Sequence, residues 1–119
     1  MFSVKGGNIY HIRGDTGVLL FQPTDETGKD VADFTATLSV KKDINADDYL
    51  LQKTCANGKF SFRPEDTDGL AAGTYVYDIE VHTGDDVQTI GPYKYYLMPD
   101  VTRPVRGDSY ERIASKSLE

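Results

Sequence analysis

The 119-residue chain has no tryptophan and a single cysteine, Cys55. One thiol closes no internal disulfide, so whatever fold forms must hold without an oxidative staple. Within Lys53-Thr54-Cys55-Ala56-Asn57, Lys53 is the one nearby cation and no base accompanies the thiol, so Cys55 reads as structural rather than nucleophilic. Long apolar runs are also missing. None approaches the roughly 20 residues of a membrane span, and the opening MFSVKGGNIYHI has no apolar stretch of signal-peptide length. The expectation is a soluble chain with no signal peptide. Positive charge is scarce as well: 13 Lys and Arg stand against 19 Asp and Glu, a net charge of -6. Attraction to nucleic acid or anionic lipid depends on clustered Lys and Arg, so neither is an expected partner. Proteins or neutral ligands are.

What is present points to β-structure. A chain of this length fits one domain that can bury roughly two-thirds of the surface its unfolded form exposes. Its most informative stretch is Asp66 to Val81, DTDGLAAGTYVYDIEV. A polar turn leads into a strand whose period of two sets Tyr75, Tyr77, Ile79 and Val81 on one face. The lead-in Leu-x-x-Gly-x-Tyr-x-Tyr is similar to the corner of immunoglobulin-like sandwiches, where a tyrosine near the start of a strand returns its hydroxyl to upstream backbone. Tyr75 would be that structural corner and Tyr77 the core residue.

Elsewhere the same signals recur. Asn8 to Arg13 is short and rich in β-formers, and Gly14 to Gly17 punctuates it as a turn. Val18 to Gln22 carries four apolar residues in a row, the pattern of a strand covered on both sides. Thr24 to Asp33 is a polar loop. Phe34 to Lys42 alternates, with Phe34, Ala36, Leu38 and Val40 on one face. Tyr49 to Thr54 and Lys59 to Arg63 read as strands joined at Asn57-Gly58, a dipeptide that favours a tight hairpin, so the two are expected to pair directly. Gly84-Asp85-Asp86 turns the chain into a last strand, Val87 to Met98, where Gly91-Pro92 should kink the ladder because proline donates no hydrogen bond. About seven short strands and no convincing helix predict an all-β, immunoglobulin-like antiparallel β-sandwich spanning residues 4 to 103, followed by a flexible polar tail over 104 to 119. The expected core is Leu19, Phe21, Ala36, Leu38, Val40, Phe60, Phe62, Tyr75, Tyr77, Ile79 and Val81.

Candidate chemistry is sparse. Arg13-Gly14-Asp15 and Arg106-Gly107-Asp108 both spell an integrin-binding tripeptide, yet Gly-Asp is ordinary turn composition. Asp43-x-Asn45-x-Asp47 imitates the start of a calcium-binding loop, but the sixth position holds Asp48 where glycine is required and the twelfth holds Thr54 where glutamate is required. It reads as a solvated acidic loop. His11 and His82 fall on different strands without ligand spacing and read as surface or edge residues. No metal, no cofactor and no catalytic residue is assigned, and an enzyme is the least favoured class. The eight tyrosines offer more. Tyr93, Tyr95 and Tyr96 crowd the last strand, and neighbours on a strand point to opposite faces. An exposed tyrosine there would serve as a partner contact or a sugar-stacking platform; the plainer alternative is a tyrosine covering a sheet edge.

Several of these features, taken in order, carry a resemblance: Arg13-Gly14-Asp15-Thr16 before the first apolar strand, the alternating strand ending in Val40-Lys41-Lys42, Phe60-x-Phe62, Asp66-Thr67, Gly73-x-Tyr75-x-Tyr77-Asp78-Ile79 and Asp100-Val101-Thr102-Arg103. Together they resemble small immunoglobulin-like modules found in phages and prophages of Gram-positive bacteria, in an order similar to that of the N-terminal module of phage baseplate upper proteins. The likeness runs from about Val4 to Arg103. It implies a non-enzymatic virion or tail-associated module that assembles with other phage structural proteins, located in the bacterial cytoplasm during assembly and then in the virion. A carbohydrate-binding sandwich using exposed tyrosines, with a glycan as partner, is the alternative. The family's matching positions are structural, so no functional residue carries over.

Overall fold

A computed structural model describes residues 1 to 102 and forms an all-β sandwich. Its elements are β1 (Phe2–Lys5), β2 (Asn8–Ile12), β3 (Gly17–Leu20), β4 (Thr35–Lys41), β5 (Leu51–Cys55), β6 (Lys59–Phe62), a single helical turn α1 (Pro64–Thr67), β7 (Gly73–Thr83) and β8 (Asp86–Met98). Six strands make one sheet in the order β1-β2-β8-β7-β4-β5, and β3 with β6 makes the other. The expected tail, Arg103 and Arg106-Gly107-Asp108 lie outside the described residues.

Alternation builds the large sheet. Ala36, Leu38 and Val40 of β4 lie beside Tyr77, Ile79 and Val81 of β7, with Ala36 opposite Val81 and Val40 opposite Tyr77. These side chains share one face with Ile9, Tyr95 and Leu97, and all are buried. Leu19, Phe60 and Phe62 complete the core from the small sheet. At the β7–β8 hairpin Thr83 pairs with Asp86, leaving Gly84-Asp85 as the loop, and Gly84 takes a left-handed φ of 59° that a side chain would resist.

The architecture departs from expectation at five points. First, β1 begins at Phe2, ahead of the expected start at Val4, because the Phe2 ring stacks on Phe62 at 5.1 Å and gains burial there. That adds an eighth strand. Second, the large sheet is mixed rather than purely antiparallel, since β2 runs parallel to β8, with Ile9 opposite Tyr95 and Ile12 opposite Met98. Third, β5 and β6 do not pair. β5 pairs with β4, whereas β6 crosses to β3, and the Phe21 N–H donates to the Gly58 carbonyl at 2.7 Å. Gly58 has a φ of 76°, and a Cβ there would sit 2.3 Å from the Phe21 oxygen. The Asn-Gly turn therefore hands the chain from one sheet to the other, where Phe60 and Phe62 face the core.

Fourth, β3 is not covered on both sides. Among the described residues the small sheet packs on the large one by one face, and Val18 and Leu20 on its other face point to solvent at 46% and 77% exposure. Finally, the chain does distort at Gly91-Pro92, but the strand continues through it. Tyr77 pairs with Tyr93 and Ile79 with Ile90, so Asp78 opposes both Gly91 and Pro92 in a bulge.

Candidate functional site

The tyrosines proposed as contacts are not brought together on one surface. Tyr95 is fully buried, and β8 from Tyr95 to Leu97 is paired on both sides, with β2 and with β7. Tyr95 is therefore a core residue and not a partner contact. Its hydroxyl lies 2.5 Å from Nδ1 of His11. His11, expected at the surface or an edge, is likewise fully buried. Its Nε2 is 2.7 Å from the Asp15 carbonyl, which can only accept, so Nε2 carries the proton and Nδ1 accepts from Tyr95. Burial, helped by the N-terminal ammonium, lowers the His11 pKa to about 4; burial also pushes the Tyr95 phenol up. The pair is neutral and structural.

Tyr93 points to the same inner side. Its ring lies 5.8 Å from that of Tyr77 and covers Gly7, where a Cβ would come within 2.5 Å of it. The Tyr77 hydroxyl donates to the Gly7 carbonyl, and burial raises its pKa to about 12. Only Tyr96 faces outward, half-buried and stacked on Tyr10 at 4.8 Å. Tyr75 donates its hydroxyl to the carbonyl of Ala71, four residues upstream. The first Arg-Gly-Asp copy is spoken for: Arg13 Nε donates to Asp100 at 2.8 Å, with side-chain exposures of 13% and 7%, and its Nη1 donates to the Leu70 carbonyl.

Several hollows open on the surface of the described residues. One, about 510 Å³, lies between the 23–31 loop and the β7–β8 hairpin. Of its carboxylates, Asp25, Glu26 and Asp86, the first is satisfied from within: Thr27 Oγ1 donates at 2.6 Å, with the Thr27 and Lys29 N–H groups at 2.8 and 3.0 Å. These bonds hold its pKa below the usual carboxylate value. The turn is closed on itself.

Another hollow, about 290 Å³, lies on the solvent face of the large sheet. Strand alternation supplies its floor, with Thr37, Ser39 and Lys41 from β4 and Val76, Asp78 and Glu80 from β7. Gln52 enters from β5, its Nε2 donating to Ser39 Oγ at 3.0 Å. The 42–50 loop makes one wall. The Asn45 N–H donates to Asp43 Oδ1 at 2.9 Å, and the Leu50 N–H to the Val40 carbonyl at 2.8 Å. Asp43, read from sequence as part of a solvated acidic loop, thus folds back on its own backbone. The same loop raises Ile44 and Tyr49 over the cleft at 64% and 56% exposure. Lys41 Nζ lies 5.1 Å from the Tyr49 ring centroid, a cation–π contact.

Asp78 is the electrostatic centre of this cleft. Half-buried opposite the Gly91-Pro92 bulge, its carboxyl is pushed up by burial and then by Glu80, with Lys41 pulling the other way. No hydrogen bond to that carboxylate occurs among the described residues. Glu80 is bonded to His82 Nε2 at 2.6 Å. Asp25 and Asp78 therefore make a contrast: one carboxylate is internally satisfied, while the other faces a cleft with its charge poorly compensated. Sequence reasoning missed this site because Ile44 and Tyr49 were absorbed into an acidic loop and a strand. Apolar residues inside that acidic loop were the available signal. Among the described residues, no group of three or more His, Cys, Asp or Glu could hold a metal ion.

Comparison with known proteins gives no match: no family model, no curated protein and no solved structure matches the chain.

Proposed function

We propose that this chain is a non-enzymatic β-sandwich module that works through protein–protein assembly, as a structural part of a phage or prophage virion or tail-associated particle, using the solvent face of its large sheet. The observation that carries the reading is the placement of Ile44 and Tyr49, both largely exposed, over a cleft that holds the half-buried Asp78. Exposed aromatic and aliphatic side chains around a small number of polar groups are typical of protein contact surfaces. The phage setting rests on the order of turns and strands set out above. The acidic net charge agrees with a protein partner and disfavours nucleic acid.

The test is co-expression with the structural proteins encoded beside it. Variants Ile44→Ser and Tyr49→Ser should fold like the parent, since both side chains face solvent, and should lose co-purification. Folded variants that assemble like the parent would remove this face from the assembly reading.

A second reading, glycan binding, has its own support. Tyr49 stands beside Thr37, Ser39 and Gln52, an aromatic ring next to hydroxyl and amide groups. Cell-wall oligosaccharides that shift the amide resonances of these four residues would favour it over assembly.

A further inference from the structure

We propose that the cleft over Asp78 takes the guanidinium of an arginine presented by a partner protein. This names the partner chemistry of the assembly face above and rests on that reading. The argument is one of charge and shape. β7 turns two carboxylates, Asp78 and Glu80, toward the same cleft, and the 42–50 loop walls it with Ile44 and Tyr49. Asp78 receives no hydrogen bond among the described residues, and burial with the neighbouring Glu80 makes its negative charge costly. A cation seated there would supply the missing hydrogen bonds and offset the cost of burial and of the Glu80 charge. Charge-assisted hydrogen bonds to a partly desolvated carboxylate are stronger than neutral ones.

The remaining charged groups of this face fit a cation as guest. Lys41 from β4 holds its ammonium over the Tyr49 ring, so the rim already accommodates a positive charge through an aromatic face. Its attraction for Asp78 makes Lys41 an internal competitor for the site. His82 is engaged with Glu80, and Lys94 from β8 lies exposed one strand away, opposite Val76. Arginine suits this setting better than lysine. Its planar group can donate to both oxygens of Asp78 while its flat face lies against the apolar lining of the cleft, and it is more weakly hydrated than an ammonium.

The probe is a blocked tripeptide, acetyl-Gly-Arg-Gly-amide, titrated into ¹⁵N-labelled protein beside its citrulline counterpart, which keeps the shape and removes the charge. The arginine peptide should move the amide resonances of Ser39, Asp78 and Glu80 saturably, and the citrulline peptide should not. Asp78→Asn should weaken binding by about fivefold or more, the scale of a partly exposed ion pair. Lys41→Met should strengthen it. Should Asp78→Asn disturb the fold, salt titration of the parent protein serves instead, because binding must weaken as screening grows. Equal shifts from both peptides, or salt-independent binding, would overturn the proposal. An arginine peptide that fails to bind while Tyr49→Ser still blocks co-assembly overturns the occupant and leaves the assembly reading standing. Binding that persists while Tyr49→Ser assembles normally supports the arginine site and removes its assembly role.

Discussion

The Tyr95 hydroxyl donates to Nδ1 of His11 across 2.5 Å, joining β8 to β2 where both side chains are fully buried. This contact and the parallel β2–β8 pairing lie on the same two strands, 84 positions apart in sequence. The Phe2 and Phe62 rings pack around the imidazole at 5.0 and 5.7 Å, so it has little access to water.

From that burial follows a pH prediction. The His11 pKa falls from 6.5 to about 4 on folding, so below pH 6.5 the unfolded chain takes up a proton that the native state refuses. Stability is intact above 6.5 and declines as pH drops toward 4, by on the order of 3 kcal/mol in all. Urea unfolding midpoints measured across this window check the loss. The His11 Cε1 proton, followed by NMR, should titrate near 4 rather than near 6.5 while the protein stays folded.

Tyr75→Phe tests the corner. The Tyr75 side chain is 8% exposed and its hydroxyl bonds the Ala71 carbonyl, so the variant keeps the ring and loses one bond. Stability should fall by about 1 kcal/mol, seen as a lower denaturant midpoint with an unchanged slope.

Gly91→Ala addresses the bulge. Gly91 has a φ of 113°, and a Cβ there would meet the Tyr77 oxygen at 3.2 Å and the Asp78 Cβ at 3.3 Å. Both the dihedral and the contact oppose the methyl group, so the variant should lose more than about 1 kcal/mol. Because the strain falls beside Asp78, the resonances of Asp78 and Ser39 should move further than those of residues at the far end of the sheet.

How much was legible in the sequence depends on whether the signal was local. Tyr75, Tyr77, Ile79 and Val81 repeat every second residue, and a period of two fixes which face is buried. Ala36, Leu38 and Val40 were readable for the same reason. The direct pairing of β5 with β6 was misread because Asn57-Gly58 specifies a tight turn but not which partner the following strand will meet. Burial of His11 and Tyr95 had no local signal at all. It depends on β2 lying parallel to β8 across most of the chain, and a tyrosine triplet reads identically whether one member is buried or exposed. The cleft was hidden likewise, since Asp78 joins Ile44 and Tyr49 only once β7 has paired with β4 and the 42–50 loop has folded back over it.

Asp78 links stability to the proposed site. Its carboxyl is pushed up in the folded protein, by burial first and Glu80 second, so the native state binds a proton more readily than the unfolded chain does. The sign is opposite in effect to a paired carboxylate: stability is lost as pH rises from the unfolded value of about 3.9 through the folded pKa, and the cost persists at neutral pH. Asp78→Asn removes the charge and keeps the shape. At pH 7 the variant should be the more stable protein, by no more than about 1 kcal/mol because solvent screens a half-exposed group. At pH 3, where the parent carboxyl is protonated in both states, the advantage should vanish. A variant that is less stable than the parent at pH 7 would mean that the Asp78 charge is compensated within the fold, and the cleft would then have no need of a cation from outside.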